Sequence, residues 1–328
     1  MIRGRGLSAL ALGVTGALIA ALATGCTSGE GTAGQTSFCW GTLSGGDAAK
    51  MSVRPLERYA SDDDDLKSPY LVHCKVGAGM SDKGAMRDLE FTLVLGSVTG
   101  QFSVWRMADD IAGYSPFRGA VDGVPGWVNR KMAGVLLPSA CEKSLQVGGP
   151  PYLRIEANND QEDTWKDGKL QERMAAVLMK AATGVTEKLH CSAPSFTVPK
   201  TVPELVEPRP LDPGAACGLP GFAPLRPSAP AFEEYVTPGD ARLWSCAIRF
   251  PDDPDGVVNF TVTQDPRLTW FFPDEGPGRT VLTCSGRRTL LQSDRFDRSD
   301  AMSGAEHVRP REELSAAFEK AVRESSLC

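Results

Sequence analysis

Histidine is scarce in this chain, with three in 328 residues: His73, His190 and His307. Acid–base and metal chemistry near neutral pH lean on that side chain, so few catalytic arrangements are open. His73 and His190 each directly precede a cysteine, where packing beside a bridge or solvent exposure accounts for them. No G-x-S-x-G occurs, which excludes the usual nucleophile elbow. Gly79-Met80-Ser81-Asp82-Lys83-Gly84 has one residue too many and reads as a hairpin turn. S-x-x-K is also absent, which argues against a penicillin-recognising serine enzyme. There is no C-x-x-C knuckle, so no metal site is expected. The acidic stretches Asp62–Asp65, Asn158–Asp163 and Asp252–Gly256 lack the twelve-residue calcium-loop spacing and read as solvated loops. Positive charge is in deficit, 35 Lys and Arg against 41 Asp and Glu, and the net charge of −6 disfavours nucleic acid as a partner. Beyond residue 25 no apolar run is long enough to span a bilayer as a helix. No cofactor is expected.

The one apolar run stands at the start. Arg3 and Arg5 precede Leu7 to Ala23, and residues 1–25 read as a signal peptide. The junction Leu22-Ala23-Thr24-Gly25-Cys26 resembles the lipobox of bacterial lipoprotein precursors, although Leu22 stands four residues before the cysteine and the family pattern prefers three. The resemblance implies cleavage before Cys26 and a diacylglyceryl thioether on its sulfur. The chain would then be lipid-anchored on the outer face of the cytoplasmic membrane. Residues 26–37 form a polar spacer of Gly, Ser and Thr, reaching about 18 Å as a flexible coil. Arg outnumbers Lys 23 to 12, and with abundant Ala, Gly, Asp and Pro this usage resembles that of GC-rich actinobacteria.

Of nine cysteines, Cys26 set aside leaves eight: Cys39, Cys74, Cys141, Cys191, Cys217, Cys246, Cys284 and Cys328. An even number in an exported chain points to disulfides. They divide into two sets of four in similar surroundings. Leu56-Glu57-Arg58-Tyr59-Ala60 matches Phe232-Glu233-Glu234-Tyr235-Val236, and strand-like runs follow in the same order. Each set ends in an amphipathic helix, in which Val177, Ala181 and Val185 stand opposite Leu314, Phe318 and Val322. The expected fold is α+β: two tandem repeats, 38–191 and 217–328, each an antiparallel sheet of about four strands with a C-terminal helix packed on it. Residues 192–216 carry six prolines and read as a semi-rigid spacer or strap. Three pairings are possible in each set. Shorter loops favour Cys39–Cys74, Cys141–Cys191, Cys217–Cys246 and Cys284–Cys328.

The order Cys39-Trp40-Gly41, strand cysteine, Gly126-Trp127-Val128, Leu137-Pro138, cysteine and terminal helix resembles uncharacterised exported lipoproteins of actinobacteria with a repeated four-cysteine domain. That resemblance implies a fold and a location without an activity. The segment between Trp105 and Trp127 is the most distinctive: with Tyr114 and Phe117 it would suit a surface for an envelope protein or wall component if exposed, whereas burial beneath the loop is the alternative. Trp270-Phe271-Phe272 is a similar candidate, and Asn259-Phe260-Thr261 matches a glycosylation sequon on an expected strand. The expected role is a non-enzymatic interaction module of the cell envelope. The alternatives are an envelope hydrolase with a site assembled in space, or a solute-binding lipoprotein.

Overall fold

A computed structural model of the chain describes residues 36–51, 59–66, 71–80, 86–97, 115–121, 124–129, 131–145, 149–158, 169–191, 196–202, 206–227, 229, 232–237, 242–250, 253–271, 275–276, 278–295 and 307–328. Residues 1–35, which include Cys26, lie outside that set.

The first half opens with a short pair, β1 (Ser37–Phe38) and β2 (Leu43–Ser44), and a helix α1 (Gly45–Met51). Seven strands follow: β3 (Tyr59–Asp63), β4 (Val72–Met80), β5 (Met86–Ser97), β6 (Ser115–Val121), β7 (Val124–Val128), β8 (Met132–Leu136) and β9 (Pro151–Ala157). Helix α2 (Ala140–Leu145) joins β8 to β9, and α3 (Leu170–Lys188) closes the half. The sheet order is β3-β4-β5-β9-β8-β7-β6, with every neighbour antiparallel. Period-two alternation puts Val72, Cys74 and Val76 of β4, Phe91, Leu93 and Leu95 of β5, and Leu153 and Ile155 of β9 into one core. The apolar stripe of α3, including Met174, Val177, Leu178, Ala181 and Val185, completes it. Gly184 lets α3 approach closely, because a β-carbon there would lie 2.7 Å from Cβ of Thr42.

The second half contains β10 (Arg209–Pro210), β11 (Glu233–Val236), β12 (Trp244–Phe250), β13 (Asp253–Thr263), helix α4 (Pro266–Phe271), β14 (Glu275–Gly276), β15 (Arg279–Cys284), β16 (Arg287–Arg295) and helix α5 (Arg311–Arg323). Its antiparallel order is β10-β11-β12-β13-β16-β15-β14. Ser285 and Gly286, both at positive φ, make the two-residue turn from β15 to β16. Aromatic rings meet at the centre of its core: Phe222, Phe260 and Phe318 lie with ring centroids 4.9–5.6 Å apart. Leu314, Phe318 and Val322 of α5 are buried, as are Val177, Ala181 and Val185 of α3.

Each sheet has seven strands where about four were expected. In the second half the extra strands β10 and β14 have two residues each, too few for a periodic signal. Six strands follow the same spatial order in both halves, β3-β4-β5-β9-β8-β7 and β11-β12-β13-β16-β15-β14. The first half adds β6 at one edge and the second adds β10 at the other. Asp63 stands opposite Cys74 and Val236 opposite Cys246. Tyr59 therefore takes the station of Phe232, not of Tyr235 as sequence matching has it.

All four disulfides follow the short-loop pairing: Cys39–Cys74, Cys141–Cys191, Cys217–Cys246 and Cys284–Cys328. The proline-rich stretch is fastened at both ends. Phe196 is buried in the first core and its N–H donates to Oγ1 of Thr183 at 3.2 Å, while Arg209–Pro210 joins the second sheet. The two sheets also meet through their faces turned away from the helices. Trp127, Leu136 and Tyr152 of the first half form one apolar cluster with Leu243, Leu268 and Leu290 of the second. Beside it, Arg267 pairs with Asp265 (Nη2 to Oδ2, 3.0 Å) and donates from Nη1 to the carbonyl of Leu137 at 3.3 Å.

Candidate functional site

Trp105 and Tyr114 lie outside the described residues. Phe117 sits on edge strand β6, opposite Gly126. Trp127 takes the buried alternative and not the exposed one, at 1% exposure, and so is no contact residue of an aromatic surface. Gly134 stands opposite it on β8, and the indole lies over the space that a β-carbon of residue 134 would fill. A bare backbone position across the strand is what lets so large a ring lie down on the sheet. Trp270 and Phe271 end helix α4, and Phe272 lies outside the described residues. Asn259 of the sequon is 1% exposed on β13.

The cysteine turns are built alike. Cys39, Trp40 and Gly41 are all left-handed, with φ of 49°, 59° and 72°; Cys217 and Gly218 follow suit at 62° and 70°. In each half a carboxylate from the first long strand steadies this costly backbone. Asp63 accepts the N–H of Trp40 at 2.7 Å, and Glu234 accepts the N–H of Cys217 at 2.5 Å and Nε of Arg209 at 2.7 Å. Two sulfurs and a carboxylate oxygen thus fall within 4.8 Å of one another at Cys39, Asp63 and Cys74, and again at Cys217, Glu234 and Cys246. In both places the sulfurs are bonded to each other and offer no thiolate to a metal.

Of the acidic stretches, the first is partly engaged. Asp64 accepts both the backbone N–H of His73 at 2.8 Å and a contact with its Nδ1 at 3.2 Å. This pair supplies two of the three members of a Ser-His-Asp triad. The imidazole is 36% and the carboxylate 54% exposed, and no hydroxyl is bonded to the ring among the described residues. Asn158 donates from Nδ2 to Oγ1 of Thr92 at 2.8 Å. Asp253 to Gly256, expected in a loop, begin strand β13. His190 follows α3 at φ 52°, and the ring of His307 lies 6.5 Å from that of Phe232.

Among the described residues, one clearly perturbed carboxylate, Asp47, escaped the sequence reading. Ser44 precedes α1 and Asp47 lies in its first turn; Ser44 donates to Oδ2 of Asp47 from N at 2.9 Å and from Oγ at 2.5 Å, and Asp47 N–H donates back to Ser44 Oγ at 3.3 Å. Lys180 of α3 and Lys50 also donate to the carboxylate. Burial opposes its charge, but these donors outweigh that effect and hold Asp47 well below the usual carboxylate range. The local pattern Ser44-x-x-Asp47 is a capping box and could have been found from sequence. Its chemistry is structural: it fixes α1 and ties it to α3.

The buried face of the second sheet carries a polar row. Ser245 of β12 stands opposite Thr261 of β13, Thr261 opposite Gln292 of β16, and Gln292 opposite Arg279 of β15. Ser245, Thr261 and Gln292 are each at most 2% exposed. Ser245 bonds Thr237 at 2.7 Å, whereas Thr261 Oγ1 and both amide atoms of Gln292 are buried without a hydrogen-bond partner. Compared with protein-family models, curated proteins and solved structures, the chain matches none of them.

Proposed function

We propose that the chain is a lipid-anchored extracytoplasmic protein whose disulfide-stapled body serves as a non-catalytic interaction module of the cell envelope. One observation carries this reading. Eight of the nine cysteines pair among themselves, which leaves Cys26 as the odd one, at the lipobox-like junction. Four bridges favour an oxidising compartment, and a thioether on Cys26 accounts for the remaining sulfur. A diacyl anchor supplies the more than one chain that stable membrane attachment requires.

The two halves are further read as products of an internal duplication, each an antiparallel sheet carrying its C-terminal helix. Support comes from six strands in one spatial order, two bridges in matching stations, and matching buried residues on α3 and α5. An envelope protein or wall component is the expected partner, and the segment from Trp105 through Tyr114 to Phe117 is the expected contact.

The test is metabolic labelling of producing cells with an alkyne fatty acid, followed by mass analysis of the purified chain. A lipid mass on a peptide beginning at Cys26, absent from Cys26→Ala, is the expected result. An unlipidated chain, or one that retains residues 1–25, would overturn the anchor. Affinity capture of envelope components on the lipidated chain then tests the interaction module, with a catalogue of ester and glycan substrates as the competing arm. Turnover that disappears in His73→Ala would replace the binding reading with a hydrolase.

A further inference from the structure

Buried sheet faces are normally apolar, and buried polar groups are normally hydrogen-bonded. The row Ser245, Thr261, Gln292 departs from both habits at one place. Thr261 and Gln292 are a directly opposed cross-strand pair at 2% and 1% exposure. Between them, Thr261 Oγ1, Gln292 Oε1 and Gln292 Nε2 have no hydrogen-bond partner. Exchanging the amide oxygen and nitrogen cures nothing, because both ends are unmatched. Leu290, two residues from Gln292 on the same face of β16, belongs to the cluster that includes Trp127 from the facing sheet. Nε1 of Trp127 is also buried without a partner. The unmatched groups therefore border the junction between the two sheets.

We infer that the Thr261–Gln292 pair is the floor of a buried site for a small neutral ligand that carries both donors and acceptors, that is, a hydroxyl compound. The groups themselves select this chemistry. Gln292 offers two N–H donors and a carbonyl acceptor, and Thr261 a hydroxyl that works either way. One hydroxyl can accept from Nε2 and donate to Oε1 or Oγ1, matching both kinds of group. An anion leaves the carbonyl of Gln292 unmatched, a cation leaves its amide protons unmatched, and an apolar ligand satisfies nothing. Two sources share the chemistry: ordered water and the hydroxyls of a sugar or other polyol. The inference does not depend on the lipid anchor or on the location of the chain.

The experiment uses the full chain, oxidised and 15N-labelled, with the side-chain amide resonance of Gln292 identified by its loss in Gln292→Leu. Water–amide cross-relaxation is measured first, and N-acetylglucosamine and glycerol are then titrated separately. A cross-peak from long-lived water to the Gln292 amide identifies water. A saturable shift of that resonance with either polyol, accompanied by loss of the water peak, identifies the polyol. Both signals weaken in Thr261→Val, which is nearly isosteric and keeps the fold. An occupied site also predicts that Thr261→Val and Gln292→Leu lower Tm by a few degrees, because each removes a bond to the occupant. Absence of both signals, or a rise of Tm in both variants, overturns the inference: the groups would then be orphans better replaced by apolar atoms.

Discussion

Replacing Gly134 by alanine adds one methyl group at the place where the two sheets meet. A β-carbon there would overlap Cζ2 and Cε2 of Trp127 and lie 2.7 Å from Nε1. Ordinary carbon contacts need about 3.5 Å or more, so the indole, whose Cζ2 would lie 2.1 Å away, must retreat by about 1.4 Å. It has little room to do so, being 1% exposed and packed with Leu136, Tyr152, Leu243, Leu268 and Leu290. A rigid bicyclic ring cannot absorb the strain by bending. Overpacking of a filled core costs about 1–3 kcal/mol, and this geometry belongs at the upper end. For a body of this size the corresponding fall in Tm is about 5 °C. Urea unfolding followed by far-UV circular dichroism measures the change. The same substitution in a Trp127→Leu background removes the overlap, and alanine in a strand is then slightly favoured over glycine. The two costs should differ by at least about 2 kcal/mol. Equal costs in the two backgrounds, or a neutral Gly134→Ala, would refute the account of why Trp127 is buried.

Three further perturbations have definite outcomes. Arg267→Met leaves the Asp265 carboxylate, 2% exposed at its side chain, with only the backbone N–H of residue 267 and should cost about 3–5 kcal/mol by denaturant unfolding, whereas Asp265→Leu combined with Arg267→Met should cost about 1 kcal/mol, the loss of the cap on that N–H once no charge is left buried. Asp47→Asn should lower stability at pH 7 and progressively less in acid. A carboxylate held below its unfolded value stabilises above that value, about 3.9, and loses the contribution as pH falls beneath it, so the difference between the two proteins should be flat from about pH 5 upward and shrink below about pH 4. Removing the 44-residue bridge by Cys284→Ser with Cys328→Ser should cost about 4 kcal/mol, and on full reduction the intact mass should rise by eight hydrogens in the unmodified chain and by six in this variant.

The cysteine pairing and the two helix faces were legible because both are local. Loop length ranks the pairings, and a four-residue recurrence such as Val177, Ala181, Val185 survives in any single stretch of sequence. Strand number was not legible, because two-residue strands such as β10 and β14 carry no alternation and exist only through their partners. The polar row misleads for a related reason. Ser245, Thr261 and Gln292 alternate with apolar residues and look like a solvent face, yet the face they line is buried. Trp127 was ambiguous because its fate depends on Gly134, a cross-strand neighbour. Asp64 and His73 were read separately, as part of an acidic run and as a neighbour of a cysteine; the antiparallel pairing of β3 with β4 brings them together.

Burial of Trp127 changes how the proposed interaction surface must be tested. With Leu136, Tyr152 and the leucines of the second half it forms the seam between the sheets, so the halves behave as one body at this place. Replacing Trp105 and Trp127 together would merge two effects, loss of a contact residue and loosening of the seam. The separable design is Trp105→Ala or Tyr114→Ala beside Trp127→Leu. Capture of an envelope partner should fall in the first two variants with Tm unchanged. In the third, Tm should fall while the folded fraction retains its affinity. If Trp127→Leu alone abolishes capture at a temperature where the chain remains folded, the seam itself sets the binding geometry. The partner would then read the relative placement of the two sheets rather than the aromatic segment.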